Sequence, residues 1–212
     1  MNTRVVDDDR AVPAAAGPAP TRARVVDVAL ELFAEKGFAG TSTREVSERL
    51  GFSKAALYYH FRTKDELLTA LVKPALDGLA ALIDRVEPTP SRPARRALLA
   101  GYVDLVAANQ RLMQVMSQDP SVARRPAFAP AAALFERWTV LLAGQNVPGV
   151  AERARVRAAL GGIHAALLKA EPTDRLNVLR DAALAAACGA LGVPDRVSKP
   201  REKKRQKGPP DD

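Results

Sequence analysis

Residues 42–61 read Ser42-Thr43-Arg44-Glu45-Val46-Ser47-Glu48-Arg49-Leu50-Gly51-Phe52-Ser53-Lys54-Ala55-Ala56-Leu57-Tyr58-Tyr59-His60-Phe61. Ser42 followed three residues later by Glu45 is a capping box, so a helix begins here, with Val46 and Leu50 as its short apolar face. It is barely two turns long. Gly51 supplies the tight turn between two crossing helices, and Ser53 caps a third short helix over 54–61. Leu57 and Phe61, one turn apart, anchor that helix inward and leave Lys54, Ala55, Tyr58 and Tyr59 directed outward.

Working outward, Val25, Val28, Ala29, Leu32 and Phe33 recur at helical spacing before this stretch, and Gly37 ends their helix because glycine takes the left-handed C′ conformation without a Cβ penalty. On the other side Thr63 and Glu66 repeat the capping box and start a longer helix reaching about residue 85, in which Pro74 predicts a kink or a break. Pro88, Pro90 and Pro93 mark a boundary. Beyond it the pattern predicts helices over 92–110, 111–118, 127–145, 149–170 and 173–191, punctuated by Pro120, Pro126, Pro148 and Pro172. Residues 1–20, with an acidic triplet at Asp7 to Asp9 and three prolines, bury little and are expected to form a disordered arm.

Composition agrees with an all-α fold. The 212 residues are 47% hydrophobic, enough to bury a core, and only 5% aromatic, with few β-branched runs. The net charge of +8 favours polyanionic partners such as nucleic acid or an anionic membrane surface. Half of it sits in residues 196–212, where seven basic side chains face three acidic ones. This segment lacks apolar periodicity and is read as a solvated tail over 195–212, with auxiliary phosphate binding as an equal alternative. One cysteine, Cys188, cannot form an intrachain disulfide, and neither a leader pattern nor an apolar run of membrane-spanning length is visible. A cytoplasmic protein without membrane association is the expectation.

Three short helices in about forty residues, the second and third joined by a glycine turn, form the pattern of a helix-turn-helix. The segment from Gly37 to Val46, then Leu50 to Phe61 with its Leu57-Tyr58-Tyr59-His60-Phe61 run, then Thr63-Lys64-Asp65-Glu66-Leu67-Leu68, resembles the tetracycline-repressor (TetR/AcrR) family over residues 21 to about 70. The resemblance implies a transcriptional regulator, a repressor by family habit, that reads a palindromic operator in double-stranded DNA as a homodimer. It implies that Thr43, Tyr58 and Lys64 hold phosphates and that Arg44 reaches a guanine, whose O6/N7 edge suits the guanidinium fork. Base readout is assigned to Arg44, Lys54 and Tyr59. Ala55 lets the backbone approach the base edges and offers a methyl contact to thymine. His60 stands last, since packing is the commoner role for such a histidine.

The domains expected are a disordered arm over 1–20, a DNA-binding head over 21–66, a regulatory and dimerisation domain over 67–194, and the basic tail. In the second half the alanines and glycines of 149–170 and 173–191, Ala158 and Ala186 among them, permit close helix approach and resemble the pair that forms the family's four-helix dimer interface. An intrachain hairpin is the plainer alternative. Tyr102, Met113, Met116, Phe128, Phe135 and Trp138 are the candidates for a small-molecule effector pocket, although core packing accounts for most such residues. His164 reads as a satisfied core or interface histidine. With two histidines and one cysteine no metal site is expected, and no catalytic constellation or cofactor motif is visible. The alternatives weighed are an enzyme with an arrangement invisible to motifs, and a constitutive DNA-binding protein without effector control.

Overall fold

The computed structural model describes residues 21–168 and 175–193, so the expected arm and tail lie outside the described residues. The described residues are all-α: α1 Arg22–Gly40, α2 Thr43–Leu50, α3 Lys54–His60, α4 Lys64–Asp84, α5 Arg92–Ala108, α6 Gln110–Gln118, α7 Ala131–Ala143, α8 Val150–Leu168 and α9 Leu176–Ala190. Two 3-10 turns, Val122–Arg124 and Pro126–Phe128, join α6 to α7, so the helix expected from residue 127 begins at Ala131. The proline at the start of the second turn and Pro130 limit that stretch to single turns.

The caps follow the sequence. Ser42 and Glu45 close the capping box of α2, with Gly51 at φ 70° as its left-handed C-cap, and Ser53 accepts from the Ala56 N–H at the start of α3. Gly37, at φ 75° and ψ 162°, breaks α1 where expected, and a last turn carries Phe38 back into the core. Thr63 caps α4, although the Glu66 carboxylate takes the Arg62 N–H at 2.8 Å.

Pro74 does not break α4. The helix runs through it from Lys64 to Asp84, because its two halves are held in different cores. Leu67, Leu68, Leu71, Val72 and Ala75 pack with α1–α3, and also with Leu112 and Val115 of α6 and Phe128. Leu79 and Ile83 pack instead with α5, α7, α8 and α9 around Trp138. One missing N–H at Pro74 is a small loss against that burial. The change of core therefore falls between Ala75 and Leu79. Past it, α4 and α5 approach closely through a reciprocal fit: a Cβ on Gly78 would sit 2.8 Å from Leu105, and one on Gly101 2.6 Å from Leu82.

Candidate DNA-binding face and internal cavity

The head presents its third helix as the sequence requires. Leu57 and Phe61 are each 1% exposed, and the opposite side carries Lys54, Ala55, Tyr58 and Tyr59, with Tyr59 87% exposed. The Lys54 ammonium lies 5.4 Å from the Tyr58 ring centroid, and the half-buried His60 ring meets Tyr59 edge-on at 5.2 Å. Thr43 is the first residue of α2 and is half-buried. Exposed Arg44, one residue on, is held by Glu48 through Nε to Oε1 at 2.7 Å, so it must exchange that carboxylate to reach another acceptor.

Lys64 bonds within the head. Its ammonium is no free point charge: it donates to the Phe38 carbonyl at 2.6 Å and the Thr41 carbonyl at 2.8 Å, and lies 4.4 Å from the Phe38 ring centroid. Those carbonyls lie at the C-terminal end of α1, past the glycine break, where a helix leaves acceptors short of donors and draws a cation inward. Burial first, and then Arg125, pull its pKa down, while Asp65 and Glu45 oppose that shift. Arg125 completes the cluster. Its guanidinium lies 4.7 Å from the Phe38 ring centroid and pairs with Asp65 at 3.2 Å, tying the turn before α7 to the start of α4.

Tyr102, Met113, Met116, Phe128 and Phe135 surround one internal cavity of about 80 Å³. Trp138 does not. Just under a turn beyond Phe135 on α7, it packs on the Tyr102 ring at 5.2 Å and is 0% exposed, inside the second core. Among the described residues its indole Nε1 has no hydrogen-bond partner. The cavity also takes Val72, Ala75, Leu76 and Leu79 from α4 and His164 from α8. Sequence reasoning missed these. An apolar α4 residue gives no sign of which side it faces, and His164 becomes notable only through a hydrogen bond of 2.8 Å between its Nε2 and the hydroxyl of Tyr102, 62 positions away. The cavity sits at the seam of the two cores, which Met113 touches on both sides. Both α4 and α6 wall the cavity, and α6 also packs on α1, where Arg111 approaches Glu31 at 3.8 Å.

Among the described residues no helix is long and apolar enough to cross a membrane, and no cluster of potential metal ligands occurs. Residues 25–71, which include every one of the candidate DNA-facing positions, match the family described as bacterial regulatory proteins, tetR family. Over these residues the chain is similar to the tetR family. Over 111 residues it is 33% identical to the HTH-type transcriptional repressor Rv3405c of Mycobacterium tuberculosis, a match covering 48% of this chain and 58% of that protein. The chain thus spans little more than half the length of that curated relative. Solved structures extend the likeness through the second half. AmtR of Mycobacterium smegmatis is 27% identical with a TM-score of 0.62, covering 84% of this chain and 98% of that one. The TetR family transcriptional regulator PfmR of Thermus thermophilus is 26% identical with a TM-score of 0.61, covering 80% and 97%.

Proposed function

We propose that the chain is a transcriptional repressor that binds a palindromic operator in double-stranded DNA as a homodimer and is released by a small, largely apolar effector. The observation that carries the reading is the α3 face: a short helix, capped at Ser53 and anchored by two buried residues, holds Lys54, Ala55, Tyr58 and Tyr59 rigidly in solvent. Apart from the Lys54–Tyr58 and Tyr59–His60 contacts, these four residues face solvent rather than the core. They suit a major groove, with Arg44 and Thr43 alongside from α2 and His60 at the rim.

For Lys64 the reading changes from phosphate ligand to clamp: by holding Phe38 and Thr41 it fixes α1 and α4 against the two reading helices. Dimerisation is assigned to α8 and α9. They pack on each other as a hairpin, yet Ala154, Ala158, Gly161 and Ala165 of α8 and Ala182 and Ala186 of α9 remain exposed. Two heads are needed for a palindrome, and small residues let four helices approach closely.

Release follows from the size of the cavity. At about 80 Å³ it is well below the roughly 300–1,000 Å³ of ordinary ligand sites, so an effector must push its walls apart. A ligand acts only by preferring one arrangement over another, and here it prefers the widened one. The walls that move carry the head: Leu112, Met113 and Met116 line the cavity from α6, and Leu112 with Val115 of the same helix is buried in the core of the head. The test is selection of duplexes from a random pool by the full chain, followed by titration of the recovered site. Enrichment of a two-fold symmetric sequence, bound by two chains, is expected. Failure to enrich any sequence at low salt would refute the reading.

A further inference from the structure

Among the described residues, every side chain around the internal cavity is hydrocarbon or thioether except two, Tyr102 and His164, and these two are bonded to each other. We propose that the cavity takes an uncharged, mostly apolar ligand bearing one neutral oxygen, a hydroxyl or a carbonyl, and that the Tyr102–His164 pair recognises that oxygen. The inference rests on the effector reading above and names the class of effector.

The chemistry of the pair sets the class. Tyr102 is 3% exposed, and its ring is held from behind by Trp138, so its hydroxyl keeps one position. Burial alone lowers the His164 pKa and raises that of Tyr102, so both are neutral near pH 7. A neutral imidazole has two tautomers. With Nε2 unprotonated, the Tyr102 hydroxyl donates to it, and the phenolic oxygen keeps a lone pair for a ligand hydroxyl. With the proton on Nε2, the imidazole donates to the phenolic oxygen, and the Tyr102 hydrogen is free for a ligand carbonyl. The pair thus serves a donor or an acceptor by moving one proton.

It cannot serve a charge. A carboxylate or ammonium there would lose its hydration and meet no countercharge, since among the described residues no Lys, Arg, Asp or Glu lines the cavity. Size narrows the class further: a dry apolar cavity of about 150 Å³ accommodates benzene, so this one takes a single ring only as the flexible Met113 and Met116 give way.

The test uses the full chain and four probes of similar size: cyclohexanol, cyclohexanone, methylcyclohexane and cyclohexanecarboxylate. Binding is followed by Trp138 fluorescence and calorimetry at pH 7.5, in the wild type and in Tyr102→Phe, which keeps the ring and removes the hydroxyl. The alcohol and the ketone are expected to bind and to lose about 3- to 10-fold in Tyr102→Phe, the worth of one neutral hydrogen bond. Methylcyclohexane should change less than about twofold, and the carboxylate should not bind either protein measurably. If Tyr102→Phe fails to fold, the wild type still decides between cyclohexanol and the carboxylate. Equal binding of those two, or an alcohol indifferent to Tyr102→Phe, overturns the assignment of class and leaves the pocket standing. Absence of binding by all four overturns the effector reading as well.

Discussion

Replacing Lys64 by methionine separates a clamp from a phosphate ligand, because the two roles move different observables. Methionine keeps the apolar stem over Phe38 and deletes only the ammonium. What is lost is the pair of bonds to the Phe38 and Thr41 carbonyls, at 2.6 and 2.8 Å. Hydrogen bonds to a charged group contribute roughly 1.5–3 kcal/mol each, but Lys64 is only half-buried, and water reclaims the carbonyls in part. A net loss of about 1–3 kcal/mol remains. For a domain of this size each kcal/mol lowers the thermal midpoint by about 2–4 °C, so a fall of about 2–12 °C is expected in a circular dichroism melt of the full chain. DNA affinity should fall too, since the reading helices lose a support, but the slope of log K against log salt should stay constant. Lys54→Met is the contrast: its exposed ammonium holds nothing in the fold beyond a contact with Tyr58, so the midpoint should hold while the slope drops by about 0.9, one phosphate's worth. The clamp is refuted if Lys64→Met leaves the midpoint unchanged and lowers the salt slope by that amount.

Three further outcomes are expected. Glu45 is held at a pKa of about 2 by the Lys36 ammonium and then by the Ser42 backbone and hydroxyl, so its stabilising effect is present above the ordinary glutamate range and is lost as pH falls through that range toward 2; Glu45→Gln should melt below the wild type at pH 7, and the gap should close toward pH 2, whereas a gap independent of pH would contradict the capping role. Trp138→Ala should cost about 3–5 kcal/mol and lower the melting temperature sharply, as for any large aromatic deleted from a core, and a mutant melting like the wild type would mean the indole is not packed as described. Ala158→Glu, at an exposed position of α8, should leave the fold and its melting intact while giving monomers in sedimentation and losing tight operator binding; a dimer that survives it places the interface elsewhere.

The head was legible in the sequence because its information is local. Ser42, Glu45, Gly51, Ser53 and Thr63 act on backbone groups within four residues of themselves, and Leu57 and Phe61 are told from Lys54 and Tyr59 by helical period alone. Fold class, helix order and the face of α3 follow from such signals. What only the tertiary structure decided involves partners far apart in the chain. Lys64 looked free until folding brought it to carbonyls more than twenty residues away, at the end of α1 beyond the turn at Gly37. Pro74 promised a kink or a break, and α4 runs through it unbroken with each half held in its own core. Trp138 and Phe135 differ by less than one helical turn, and which of them meets the cavity depends on where Tyr102 of another helix lies. His164 acquires meaning only from the hydroxyl beside it. Propensity and capping are short-ranged, but a cavity and its polar pair are made by several helices at once, and no single segment carries the record of where the others will pack.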